Sequence, residues 1–258
     1  MRILTWNVNG LRAALRKGFE RHIDRLQPDV MLLQEVRALP EQLPDAWREP
    51  DAWHVKWHPA EKKGYSGVAT FSRTPLKQLK TGIDGAHDAE GRVLLTQTNG
   101  VDLLNVYLPS GSSSDAAQAK KNRWLETFTP YAATLRRRRR PLFFAGDLNI
   151  ARCEHDIYHW RSNRGTSGFL PHEREWMDHM VETGWTDVIR KNFPDQDGPY
   201  TWWSNRGQAR VLDRGWRIDY VLANPAAAKH ITDAFVDRKA ALEVSDHAPV
   251  VIDFLPIE

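Results

Sequence analysis

A single cysteine in 258 residues, Cys153, excludes a disulfide framework and any zinc centre built on several thiolates. No apolar run approaches the roughly 18 residues of a membrane span. The first residues enter a strand pattern directly, without the basic, apolar and small-residue layout of a secretory leader. No short-period repeat is visible and no linker divides the chain, so one domain over residues 1–258 is expected. Net charge is only +3 and the isoelectric point is near 9.0. A polyanionic partner is therefore permitted but not demanded, because a local basic face matters more than the sum. These absences lead to the expectation of a cytoplasmic protein, monomeric, with 41% hydrophobic residues to build a core.

Tryptophan is the residue in excess: 11 are present, many beside Arg, His or Asn rather than inside apolar runs. Surfaces of that kind stack nucleobases, although core packing is the default for any one Trp and is the expectation for Trp203. Strands are expected over residues 2–8 and 29–34, with a helix between them carried by Phe19, Ile23 and Leu26 and closed by Pro28. Short strands follow at 53–57, 67–72, 92–98 and 101–108, with Asn99-Gly100 as a hairpin turn between the last two. A helix over 115–138 with Asp115 as N-cap precedes a buried strand at 141–146. A helix over 171–180 and strands at 215–222, 231–236 and 249–254 complete the pattern. Two packed sheets with helices outside fit this order. The five arginines at 136–140 are read as cations at a helix C-terminus, opposing its dipole.

Five of these strands carry carboxylates or amides: Trp6-Asn7-Val8-Asn9-Gly10, Leu32-Leu33-Gln34-Glu35, Gly146-Asp147-Leu148-Asn149, Arg217-Ile218-Asp219-Tyr220 and Ser245-Asp246-His247. Turns favour Asn and Asp, so one such end means little. Five that converge are what a hard cation and a phosphate ester require. Mg²⁺ takes oxygen ligands and is held by one or two carboxylates plus substrate phosphate. Glu35, at the end of an apolar strand, is the primary ligand candidate, with Asn7 and Asp246 in support. Asp147, with Asn149 two residues on, is placed to orient a water in line with a leaving oxygen. His247 is the proton handler or phosphate donor, and Asp219 is the carboxylate chosen to orient its ring. Tyr107 is balanced between a core tyrosine and a donor to the scissile phosphate.

These segments, with Gly64-Tyr65-Ser66-Gly67-Val68-Ala69, Glu90-Gly91-Arg92 and Gly215-Trp216-Arg217-Ile218-Asp219-Tyr220, occur in an order that closely resembles the exonuclease III group of abasic-site (AP) endonucleases, within the endonuclease/exonuclease/phosphatase superfamily. The likeness runs from about residue 2 to residue 254. It implies a four-layered α/β sandwich of the DNase I-like kind, two mixed β-sheets flanked by helices. It further implies Mg²⁺ (or Mn²⁺) dependence and cleavage of double-stranded DNA 5′ to abasic sites, with processing of blocked 3′ ends. By motif, Asn7, Glu35 and Asp246 fall on metal positions, and Tyr107, Asp147, Asn149, Asp219 and His247 on catalytic ones.

The resemblance also implies a DNA-binding set. Arg12, Arg16, Lys17 and Gly18 match positions that grip the backbone, and Tyr65 and Arg92 lie on the same expected face. Trp202 and Trp216 match aromatic walls of a pocket for a base-less sugar, whose small apolar face an aromatic ring accepts. His159 stands where many relatives have Asn, with Asn163 matching nearby. The segment Ser110–Ser114 lacks a bulky arginine found in some members, which leaves Arg206 as the nearest duplex-inserting substitute. Two other readings compete: an enzyme working chiefly on 3′ ends, and a phosphoesterase of the superfamily with a non-DNA substrate. A non-catalytic DNA-binding module is disfavoured because every core catalytic residue is present.

Overall fold

The computed structural model describes residues 1–255. Its first sheet contains β1 (Arg2–Asn7), β2 (Val30–Gln34), β3 (His54–His58), β4 (Val68–Ser72), β11 (Ile231–Val236) and β12 (Val250–Phe254), in the order β11-β12-β1-β2-β4-β3. The second contains β5 (Lys77–Thr81), β6 (Val93–Thr98), β7 (Val101–Tyr107), β8 (Leu142–Asp147), β9 (Thr186–Asp187) and β10 (Asp219–Ala223), ordered β5-β6-β7-β8-β10-β9. Both sheets are mixed: β1–β2 and β7–β8 run parallel, and the remaining pairs run antiparallel. Because side chains alternate across a strand, each central strand serves two layers. Ile3, Leu32, Leu103, Phe143, Val221 and Ile252 meet between the sheets. On the other face of the first sheet, Leu4, Trp6, Met31 and Leu33 pack against Phe19, Ile23 and Leu26 of α2 (Phe19–Leu26).

The outer face of the second sheet buries Leu104, Val106, Phe144 and Leu222. They pack under Leu125, Phe128 and Leu135 of α4 (Asp115–Arg136) and Met177 and Met180 of α5 (Pro171–Glu182). The result is the expected helix–sheet–sheet–helix layering. Shorter helices are α1 (Leu11–Arg16), α3 (Asp45–Arg48), α6 (Val188–Asn192) and α7 (Arg238–Glu243).

Several boundaries differ from expectation. Ser114, not Asp115, caps α4, its hydroxyl accepting from the Ala117 N–H at 3.2 Å; Asp115 instead lies in the first turn, where its charge suits the helix dipole. That helix ends at Arg136, and the strand expected from 215 starts only at Asp219. Residues before it make isolated bridges, Trp216 pairing with Ile157 and Trp202. Trp203 is fully buried, the core position expected of it. In the arginine run, Arg138 pairs with Asp102 at 2.5 Å, and Arg140 reaches the same carboxylate at 3.6 Å. Among the described residues, no helix is long and apolar enough to cross a membrane.

Candidate active site

Strand register assembles the site. The parallel pairing of β1 with β2 sets Asn7 opposite Gln34, one residue before Glu35. In the second sheet Tyr107 lies opposite Asp147, and Asp147 opposite Asp219. The two sheets are tied where these ends meet, by the Asn7 side-chain N–H donating to Asp147 Oδ2 at 2.9 Å. The turn before β12 is pinned to β1 by the Ser245 hydroxyl donating to the Asn7 carbonyl at 2.8 Å. Trp6 Nε1 adds a bond to the His247 carbonyl at 2.9 Å. A cleft of about 280 Å³ opens above these ends, lined among others by Glu35, Tyr107, Asp147, Asp246 and His247.

Four residues of these turns, Asn9 (φ 46°), Glu35 (49°), Arg37 (51°) and Asn149 (51°), adopt the left-handed conformation that costs a side-chain-bearing residue energy. Strain of this kind collects at functional sites, where the surroundings over-determine the geometry. Here the surroundings are visible: the Gly10 and Leu11 N–H groups donate to the Glu35 and Val36 carbonyls at 2.8 and 3.0 Å. The Asn149 N–H donates to Asp147 Oδ1 at 2.9 Å.

His247 lies with Nδ1 2.9 Å from Asp219 Oδ2 and Nε2 3.9 Å from Asp147 Oδ2. Burial opposes a charge on this ring, but the carboxylates of Asp219 and then Asp147 outweigh it and hold the pKa up at about 10. Nδ1 faces Asp219 and Nε2 faces Asp147, an arrangement that favours the protonated ring. Burial, and next the like charge of Asp219, pushes the Asp147 carboxyl up to about 7, against the pull of His247 and the bonds from Asn149 and Asn7. Asp246 goes the other way. Burial disfavours its charge, yet His247, Asn9 (Nδ2 at 2.8 Å) and Trp202 (Nε1 at 3.2 Å) keep its carboxyl below the usual range.

Glu35 accepts a hydrogen bond from the Tyr107 hydroxyl and pairs with Arg37 at 2.7 Å. Arg37 and Asn9 both line the cleft and were not singled out from sequence. Their positions two residues beyond Glu35 and Asn7 were the available signal. Asn149 donates a side-chain N–H to the Leu108 carbonyl at 2.9 Å, and its amide oxygen and second N–H are left for other partners.

Trp202 and Trp216 stand edge to face, 6.1 Å between ring centres, and wall one side of the cleft. Arg12, Arg16 and Lys17 are exposed on and just after α1, with Gly18 following in a left-handed turn. Tyr65 is half-exposed. Arg92 does not have the surface position expected of a phosphate contact. It is 4% exposed, pairs with Glu90 at 2.7 Å, and donates to the Tyr107 carbonyl and the Tyr65 hydroxyl, both at 3.0 Å. Its guanidinium sits 4.6 Å from the centre of the Tyr107 ring. A buried cation needs such partners, and these leave it behind Tyr107 rather than on the surface. His159 and Asn163 share a loop outside the cleft lining, with the Asn163 side chain donating to the His159 carbonyl at 2.8 Å. Arg206 is exposed on the 204–214 loop.

Three comparisons bear on this geometry. Residues 4–247 match the model of the endonuclease/exonuclease/phosphatase family. An exodeoxyribonuclease of Bacillus subtilis is 36% identical over 97% of this chain and 98% of its own. Among solved structures, an AP endonuclease from Archaeoglobus fulgidus superposes with a TM-score of 0.90 at 29% identity, covering 98% of this chain and 99% of the other. The 3′ phosphatase NExo from Neisseria, solved with a product DNA hairpin, gives 0.89 at 31% identity over 99% of both chains. The strand-end cluster, the four layers and these full-length matches agree: the chain belongs to the endonuclease/exonuclease/phosphatase family and is a hydrolase of the exodeoxyribonuclease III and AP endonuclease type.

Proposed function

We propose that this chain, as a single catalytic domain, is a Mg²⁺-dependent (or Mn²⁺-dependent) phosphodiesterase. It cuts duplex DNA on the 5′ side of abasic sites, leaving a 3′-hydroxyl and a 5′-deoxyribose phosphate. It also processes blocked 3′ ends. The observation that carries the reading is the convergence of Glu35, Asp246, Asp147 and His247 in one aromatic-walled cleft, backed by the buried Asn7 and Asp219, which bond to Asp147 and His247.

The donor chemistry suits a hard cation. Asp246 is held as a carboxylate, and Asn7 Oδ1, which accepts the Asn9 N–H at 3.0 Å, retains a second lone pair. Asp147, Asp219 and His247 also bring potential ligand atoms within 4.8 Å of one another. Both ring nitrogens of His247 already face carboxylates, Nδ1 at 2.9 Å from Asp219 and Nε2 at 3.9 Å from Asp147, so that trio is read as proton-handling, and Glu35, Asp246 and Asn7 would hold the metal. A bound Mg²⁺ supplies positive charge against the phosphate oxygens.

The remaining roles belong to the side chains. His247 donates Nε2–H to a non-bridging phosphate oxygen, steadied by Asp219 at its other nitrogen. Asp147, kept in place by the Asn7 and Asn149 N–H groups, orients the attacking water and takes its proton, a role that suits a carboxyl titrating near neutrality. Tyr107 and the Asn149 amide oxygen complete the polar surround. Trp202 and Trp216 accept the apolar face of an extruded sugar, and Arg12, Arg16 and Lys17 meet the duplex backbone. Glycine at 18, the exposed His159 and Arg206, and the partly exposed Tyr65 and Asn163 extend that contact surface.

The test uses end-labelled duplexes, one with a single abasic-site analogue and one intact, with Mg²⁺ or EDTA. A metal-dependent nick directly 5′ of the abasic position, with the intact strand spared, is the expected result. Cutting in EDTA, or equal cutting of both duplexes, contradicts the proposal. The likeness to a protein described as a 3′ phosphatase favours a second reading, in which 3′-end processing dominates. Shortening from the 3′ end without an internal nick supports that alternative.

A further inference from the structure

Beneath the cleft lies an ion pair that the proposed chemistry does not use. Lys121 of α4 and Glu173 of α5 have fully buried side chains, with Nζ 2.5 Å from Oε1. Each also holds a cleft-lining turn. Lys121 Nζ donates to the Asn149 carbonyl at 2.9 Å. Glu173 Oε2 accepts the N–H groups of Gly168 and Leu170 at 2.6 and 3.1 Å, and Gln118 donates to its Oε1 at 3.0 Å. The two turns are themselves joined, since the Ala151 N–H donates to the Gly168 carbonyl at 2.8 Å.

The fit at Gly168 is tight. Its φ is +93°, and a Cβ there would lie 3.0 Å from the Asn149 carbonyl oxygen and 3.2 Å from the Trp216 ring. The backbone of Asn149, the wall residue Trp216 and the Glu173 carboxylate thus meet around one glycine. Stability alone is a poor reason for a buried ion pair, because apolar side chains of similar volume often serve as well. An apolar pair cannot hold a particular carbonyl and a particular N–H in place.

We infer that Lys121 and Glu173 are positioning residues: through the Asn149 carbonyl and the Gly168 N–H, they set the turn that orients Asp147 and the turn that seats Trp216. The inference rests on the reading of the cleft as a phosphodiesterase centre. A competing account makes Glu173 only a cap for α5, since it receives the Leu170 N–H at that helix start.

The decisive variant is Lys121→Met with Glu173→Gln. It leaves no unpaired charge, and the Gln oxygen still accepts the Gly168 and Leu170 N–H groups, but the donor to Asn149 is gone. On abasic duplex, kcat should fall by about tenfold to a hundredfold, as displacement of a reacting group does. KM and the melting temperature should stay near those of the wild type. Wild-type kcat in the folded variant, or a rise in KM alone, overturns the positioning role. Should the variant not fold, hydrogen exchange on the wild type decides: the Gly168 N–H should exchange only on global unfolding, and rapid exchange overturns the proposal. A wild-type protein that fails to cut abasic DNA removes the functional reading, whereas the positioning role fails only in the variant comparison or in the exchange.

Discussion

His247 and Asp219 face each other with Nδ1 2.9 Å from Oδ2, both side chains buried, at the mouth of a sheet whose next strand carries Asp147. Burial favours the neutral imidazole; the Asp219 charge, followed by that of Asp147, is what raises its pKa. Removing that charge with Asp219→Asn should lower kcat by about a hundredfold or more, the scale of a lost acid–base group. The sign of the pH effect is fixed. A raised pKa keeps the ring protonated up to about pH 10, so the alkaline limb of the wild-type rate profile lies there, and the variant's limb moves to lower pH. A pH–rate profile of kcat/KM for both proteins checks this; an unmoved limb would separate His247 from the chemistry.

The metal assignment predicts more than loss of activity. Mg²⁺ should raise the melting temperature of the wild-type protein, because a ligand that binds only the folded state stabilises it. Glu35→Gln or Asp246→Asn should shrink that rise and shift the Mg²⁺ concentration for half-maximal cleavage upward. Calorimetry across a Mg²⁺ series reads the melting temperatures of the wild type and each variant without DNA. An equal rise in wild type and variants would place the cation elsewhere.

Arg92 and Arg12 should separate in salt. Neutralising a phosphate contact reduces the slope of log affinity against log salt by about 1. Arg12→Ala, on the exposed face of α1, should do so. Arg92→Met should leave the slope unchanged and lower kcat, because its guanidinium supports the Tyr107 ring and carbonyl instead. Filter binding at several salt concentrations distinguishes the two. A reduced slope for Arg92→Met would put that side chain back on the DNA.

Acid stability should depend on a buried charge cluster. Asp156 has no exposed surface and accepts from Arg217 Nε at 2.6 Å, and Arg190 also pairs with it. Burial raises the cost of its charge, but Arg217 and then Arg190 hold its carboxyl below the usual range. A depressed carboxyl contributes stability above its unfolded pKa of about 4, lost as pH falls through the folded value. Melting temperature should therefore drop on acidification below about pH 4. Asp156→Asn should flatten that dependence while costing on the order of 3 kcal/mol at neutral pH, since the buried Arg217 guanidinium loses one of its two carboxylate partners and keeps only Asp187. Thermal melts across pH read both effects.

Much of the site was legible because its residues sit at strand ends, and strand ends can be read from apolar runs followed by Asn, Asp or Glu. The pairing of Asp219 with His247 was also readable, from the chemistry an imidazole near phosphate needs. Arg92 was not: a lone arginine beside a glycine reads as surface, and only the folded hairpin brings it against Tyr107. β5 carries no readable signal because it is a largely polar edge strand, and edge strands need no alternating apolar face. α1 has six residues, too few for helical periodicity to show. The Lys121–Glu173 pair joins two helices 52 residues apart in sequence, and no local pattern marks a charge for burial.

The most direct measurement is single-turnover cleavage of an abasic duplex by the wild type and by Glu35→Gln and Asp147→Asn, with DNA affinity measured in parallel. The account predicts that both variants bind the duplex with near wild-type affinity and cut it at least a hundredfold more slowly, on the order of an essential catalytic group. Cutting at the wild-type rate by either folded variant would mean that the chemistry is not carried by this cleft.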